Sequence, residues 1–208
     1  MPATKWILYD IGGVLEIVDD GLWQPRFVAR WRERSGFTVE EYGARLDRAQ
    51  LPAIDREPGT AQEYWRRVGI ALEFDEAETS RMRTEMWDAY CGELNAGLME
   101  HARSLSGRAG RAILSNSVDG AREEEERRYG FSAVFDPICY SHELGIAKPD
   151  GAVYRAVLDR LDATPDDVLF IDDHQGAVDG AAVVGMLSIL HRDNATTIAA
   201  IEEFLAAA

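Results

Sequence analysis

The chain is poor in cysteine, in basic residues and in long apolar runs. Cys91 and Cys139 are the only two cysteines in 208 residues, and they show no metal-ligand spacing. Two such cysteines read as reduced thiols rather than as a disulfide framework. Lysine and arginine number 22 against 37 acidic residues, a formal charge of -15. A phosphate backbone requires a basic face, so a nucleic-acid partner is disfavoured, and so is an anionic membrane surface. No apolar stretch approaches the roughly 20 residues of a membrane span. The opening residues, Met1 to Trp6, carry no signal-like apolar stretch or cleavage site. These absences predict a soluble, cytoplasmic protein. There is no internal repeat and no low-complexity linker.

Hydrophobic residues make up 46% of the chain, enough for one sizeable core with a small accessory domain. The order of elements is uneven. Residues 5–10 read as a strand. From about 22 to 106 the pattern is helical almost throughout. Phe27, Val28 and Trp31 mark one helix face, Tyr42 and Leu46 a second, Tyr64, Trp65 and Val68 a third, and Met82, Met86, Trp87 and Tyr90 a fourth. These stripes read as helix-packing core. Beyond Asn95 strands and helices alternate. Strands are expected at 111–115, near 134–140, at 167–171 and at 187–190. Helices are expected at about 96–106, then at 119–129, 151–161, 176–184 and 194–206. The run Glu123 to Glu126 reads as a solvated helix face. Such alternation predicts an α/β fold, a parallel sheet covered on both faces. The stretch after the first strand predicts an inserted helical-bundle cap. The expected division is 1–15 and 96–208 for the core and 16–95 for the cap.

Three apolar runs end in polar residues of one chemical kind. Trp6 to Tyr9 ends in Asp10 and then Gly12-Gly13. Ile113-Leu114 ends in Ser115-Asn116. Val168 to Ile171 ends in Asp172-Asp173. Ligands of open parallel sheets bind beyond the carboxyl ends of the strands, so these residues can converge. A carboxylate such as Asp10 can attack phosphorus and form an aspartyl-phosphate. Mg²⁺ takes oxygen ligands, commonly one or two carboxylates with substrate phosphate. Asp10 and Asp172 suit that role, with Asp173 in support or reaching the ion through water. Gly12 and Gly13 leave backbone open for close approach to metal and phosphate. The Ser115 hydroxyl, beside Asn116, can donate to a phosphoryl oxygen. Lys148 supplies a fixed positive charge that holds Asp10 ionised and stabilises the transferring group. Each residue alone fits a helix cap or a surface position; their joint order points to magnesium-assisted phosphoryl transfer.

In that order the motifs resemble those of the haloacid dehalogenase superfamily. Tyr9-Asp10-Ile11-Gly12-Gly13-Val14 is similar to its first motif, and Ile113-Leu114-Ser115-Asn116 to its second. Ser141 through Lys148-Pro149-Asp150 is similar to its third, and Phe170-Ile171-Asp172-Asp173 to its fourth. The resemblance implies a Rossmann-like core and a Mg²⁺-dependent phosphatase with a four-helix cap. Asp10 would be the nucleophile. Asp10, Asp172 and the Gly12 carbonyl would bind magnesium. Ser115 and Lys148 would hold phosphate. Superfamily phosphatases usually carry a second Asp two residues after the nucleophile, as general acid and base. Here that position is Gly12, as in a subgroup resembling glucose-1-phosphatase-like sugar-phosphate phosphatases. Glu16, Asp19, Asp20 or a metal-bound water would have to supply the proton.

The turn Arg56-Glu57-Pro58-Gly59-Thr60 joins two expected cap helices and is a candidate specificity loop. Arg56 is placed either to meet a leaving group or to pair with Asp55 or Glu57 on the surface, and the neighbouring charges favour pairing. Trp23 and Trp65 are candidates for the cleft, with core packing the stronger reading for both. His174 is the histidine expected near the site. The expected substrate is a small phosphorylated metabolite, and the sequence sets no oligomeric state. The rival readings are a metal-independent 2-haloacid dehalogenase, a phosphotransferase and a non-hydrolytic relative that keeps the fold. Asp172-Asp173 opposes the dehalogenase, because two carboxylates without a cation would repel each other beside Asp10.

Overall fold

The computed structural model describes residues 5–18 and 22–207 of the chain. Its centre is a five-stranded sheet. The strands are β1 (Trp6–Tyr9), β4 (Gly110–Ser115), β5 (Ile138–Tyr140), β6 (Val168–Asp172) and β7 (Leu187–Leu190), in the order β5-β4-β1-β6-β7. Every pairing is parallel. Both faces of a parallel sheet are covered, so its central strands are continuous apolar runs. All five residues of β6 are buried accordingly. Alternate side chains feed two cores. Ile7, Tyr9, Ile113 and Ile171 pack on one face, beneath α5 (Ala96–Ser104) and α10 (Asn194–Ala206). Leu8, Ala112, Leu114 and Phe170 pack on the other, beneath α8 (Gly151–Leu161) and α9 (Gln175–Val183).

Between β1 and β4 the chain leaves the sheet. It passes through β2 (Glu16–Ile17), builds four helices and returns through β3 (Glu93–Leu94). The helices are α1 (Trp23–Ser35), α2 (Val39–Arg48), α3 (Ala61–Leu72) and α4 (Glu76–Cys91). Thr38 with Glu41, and Asp75 with Glu78, form capping boxes that open α2 and α4. Trp31, Tyr42, Trp65, Val68, Met82, Met86 and Trp87 are buried in the cluster that also holds the sheet residues Ile7 and Tyr9. The expected parallel α/β core with an inserted helical cap is therefore what the chain forms. Among the described residues no helix is long and apolar enough to cross a membrane.

Three local expectations are corrected. β3 falls inside the stretch read as helical and pairs antiparallel with β2, which precedes that stretch, Glu16 opposite Leu94 and Ile17 opposite Glu93. They are two-residue strands, too short to carry an alternating pattern. The strand expected from 134 begins only at Ile138. A 3-10 turn at Phe131–Ala133 precedes it, and Pro137 has no N–H to give to a ladder. A short helix, α7 (Ser141–Leu144), follows β5 and precedes the turn that carries Lys148. Val28, read as part of the inward face of α1, is exposed.

Candidate active site

The sheet order places β1 at the centre, with β4 and β5 built outward on one side and β6 and β7 on the other. The crevice beyond β1 is thus the switch point where an α/β sheet binds its ligand. Tyr9 lies level with Ile113 of β4 and Ile171 of β6. Asp10, Ser115 and Asp172 therefore reach the same edge. The Asp10 N–H donates to the Ile171 carbonyl at 2.9 Å, which fixes the start of the loop. Three further amides, of Val14, Leu15 and Glu16, donate to the Ile11 carbonyl and curl it tightly.

Lys148 is the hub. Its ammonium lies 2.8 Å from Asp10 Oδ1 and 2.7 Å from Asp172 Oδ2. All three side chains are buried. The other oxygen of Asp172 accepts from the His174 N–H at 2.8 Å. The Asn116 side chain clamps the Lys148 backbone from both sides. Its amide donates to the Lys148 carbonyl and accepts from the Lys148 N–H, each at 2.9 Å. Ser115 Oγ makes only a long 3.5 Å contact with the Asn116 carbonyl, which leaves its proton open to a ligand. Gly13 has φ of +71°, and a Cβ there would stand 2.1 Å from Asp173 Oδ2. The bare glycine is what lets the Asp173 carboxyl lie against this loop.

Carboxyl oxygens of Asp10, Asp172 and Asp173 lie within 4.8 Å of one another. One ammonium cannot balance three such groups. Burial pushes the Asp10 pKa up to about 7, the Asp172 charge adds to the rise, and Lys148 opposes it. Asp173 is raised by burial and by Asp172. Burial works against the Lys148 charge, but the two carboxylates outweigh it and hold its proton more tightly than usual. An all-oxygen set with surplus negative charge fits a hard divalent cation such as Mg²⁺.

A cleft of about 440 Å³ opens over these residues. Asp10, Gly12, Ser115, Asn116, Lys148, Asp172 and Asp173 all line it, as do Glu16, Trp23 and His174. Gly13 lies behind Asp173, in a neighbouring pocket. Asp19 and Asp20 fall outside the described residues. The structure does not bring Arg56 or Gly59 into the cleft. Arg56 pairs with Asp55 at 3.2 Å on the surface, and the space around Gly59 is open. Their loop instead docks on the segment after β4. The Asp119 N–H donates to the Ile54 carbonyl, and the Asp119 carboxylate accepts from the Ala61 N–H, both at 2.7 Å. Trp65 packs in the core, away from the site. Tyr90 and Glu125 are among the lining residues not anticipated as such. Tyr90 was read only as core. Glu125 was read as part of a solvated face, yet it is fully buried on α6 (Ala121–Tyr129). Helical spacing held the signal: Ala121 and Glu125 are one turn apart, and both face inward.

The sequence pattern of the haloacid dehalogenase-like hydrolases matches residues 4–185. Over 69 residues the chain is 38% identical to bifunctional epoxide hydrolase 2 of Rattus norvegicus and of Sus scrofa. That stretch is 33% of this chain and only 12% of either relative. A HAD family enzyme from Bacteroides thetaiotaomicron, in complex with magnesium and inorganic phosphate, superposes with a TM-score of 0.70 at 19% identity. The match covers 91% of this chain and 95% of that one. A 2-haloacid dehalogenase from Pseudomonas syringae superposes with a TM-score of 0.67 at 17% identity, over 99% of both chains. At such identities the superpositions speak for the fold. With the sequence match spanning core and insert alike, this chain belongs to the haloacid dehalogenase-like hydrolase family.

Proposed function

We propose that the protein is a magnesium-dependent phosphatase. Its substrate would be a small organic phosphomonoester, with sugar phosphates the leading class, and the reaction would pass through an aspartyl-phosphate on Asp10. The observation that carries this reading is the charge imbalance at the cleft, three clustered carboxyl groups around a single ammonium. Asp10, the Gly12 carbonyl and Asp172 would hold the ion, with Asp173 bound directly or through water. When bound, the ion would neutralise charge on the phosphoryl oxygens.

The chain's own groups have the following roles in this reading. A carboxylate oxygen of Asp10 bonds to phosphorus as the bond to the leaving oxygen breaks, and that oxygen takes up a proton. Water then attacks phosphorus, the bond to Asp10 breaks, and inorganic phosphate departs from a restored carboxylate. Lys148 keeps Asp10 ionised and meets charge developing on the phosphoryl group. Ser115 Oγ donates to a phosphoryl oxygen. Asn116 acts through Lys148, whose backbone it fixes. Gly12 cannot transfer a proton, and Glu16, buried in the cleft wall, is the described acid left from the three expected to supply one. Residues 1–15 and 96–208 would serve as the catalytic core and 16–95 as the cap. Dehalogenation needs no cation, and the surplus of carboxylates weighs against it.

Hydrolysis of p-nitrophenyl phosphate tests the reading. Turnover that needs Mg²⁺, stops with a chelator and disappears in Asp10→Asn is the expected result. Turnover indifferent to both would remove Asp10 and the metal from the mechanism. Absence of turnover, with Mg²⁺ still bound, would favour a non-hydrolytic relative.

A further inference from the structure

We propose that Glu125 is a specificity-determining residue which, with Tyr90 and Trp23, selects a leaving group that is uncharged and bears hydroxyls. The inference rests on the phosphatase reading and names the chemistry of its substrate. Glu125 is wholly buried and lines the same cleft as Asp10. The Tyr140 hydroxyl donates to its Oε2 at 2.5 Å, while its Oε1 is buried with no hydrogen-bond partner among the described residues. Buried polar atoms nearly always have a partner, so an open one beside a cleft calls for a ligand atom. Burial holds the Glu125 proton to about pH 8, with Asp10 adding to the rise and Tyr140 and Arg122 opposing it. The form that burial favours is the uncharged acid. It can donate to a hydroxyl oxygen from the oxygen that Tyr140 does not use.

The rest of the wall fixes the sign of the charge. Lys148 is the only lysine or arginine among the described lining residues, and both Asp10 and Asp172 already engage it. A carboxylate or second phosphate on the leaving group would meet no further lysine or arginine among the described lining residues and would face Glu16 as well. Trp23 and Tyr90 meet edge to face with centroids 6.0 Å apart. They offer an amphipathic surface to the carbon skeleton of a polyol or sugar. The cleft's size limits the group to a small one.

The test compares three substrates on the wild type, Glu125→Leu and Glu125→Gln: glycerol phosphate, phosphoglycolate and p-nitrophenyl phosphate. The wild type should favour glycerol phosphate over phosphoglycolate by about a hundredfold in kcat/KM, the scale of an unpaired buried charge. Glu125→Leu should lower kcat/KM for glycerol phosphate about tenfold more than for p-nitrophenyl phosphate, mainly through KM. Glu125→Gln, which keeps a donor and an acceptor, should recover most of that loss. Equal losses on both substrates would mean that Glu125 only supports the fold, and would overturn the proposal. So would a wild type that accepts phosphoglycolate equally. If p-nitrophenyl phosphate is hydrolysed in an Asp10-dependent way while these preferences are absent, only the inference falls. If no ester is hydrolysed, both readings fall.

Discussion

Lys148 spends its ammonium on two carboxylates, so its loss would leave Asp10 and Asp172 facing each other unscreened. Gly13 is equally constrained, by space rather than charge. Gly13→Ala would set a methyl group on the Asp173 carboxyl in a left-handed backbone that alanine resists. We expect a loss of roughly 1–3 kcal/mol in urea denaturation, with weaker Mg²⁺ binding by calorimetry. An unchanged midpoint would show that the loop moves aside freely. Glu125 makes a prediction in pH. The unfolded chain releases this proton near the ordinary 4.5, the folded one near about 8. Between those values the folded state binds more protons, so stability falls as pH rises. Glu125→Gln has no proton to lose. Its stability should decline less steeply than that of the wild type across the window. Parallel profiles in urea melts at several pH values would refute this. Residues of this kind explain why part of the site was hidden in the sequence. Asp10, Ser115 and Asp172 stand out because each ends an apolar run. Glu125 sits among three other glutamates, and only helix phase separates it from them.

Elements were legible to the degree that burial imposed a pattern. β6 is buried throughout and reads as an unbroken apolar run, Val168 to Ile171. β2 and β3 have two residues each, and their pairing depends on the chain closing around the insert, which no local window records. The loop between α2 and α3 was a candidate specificity loop because it joins two cap helices. Its position is set instead by Asp119, whose carboxylate receives the first N–H of α3. Asp119→Ala should therefore cost about 1 kcal/mol, as loss of a helix cap does. Limited proteolysis within residues 51–60 should quicken. A cleavage rate matching the wild type would show that other contacts hold the loop.

At the scale of the molecule, charge is the governing quantity. A net -15 must repel a phosphate ester at long range, so the proposed substrate would reach the cleft against the field. The Mg²⁺ of the proposed reaction would stabilise the folded chain by mass action, since unfolding disperses its ligands. Millimolar Mg²⁺ should raise the melting temperature of the wild type by a few degrees and that of Asp172→Asn by less. Identical shifts would place the ion elsewhere. One further property follows from the β2–β3 pair. Because Glu16 faces Leu94 and Ile17 faces Glu93, the insert departs and returns at neighbouring points. In topological terms it is a hairpin whose turn has grown into four helices. Loop closure penalises such growth only logarithmically. The polypeptide between Ile17 and Glu93 can therefore lengthen, shrink or be exchanged without re-ordering a single strand of the sheet. The helical insert and the sheet that carries the cleft are free to evolve at different rates.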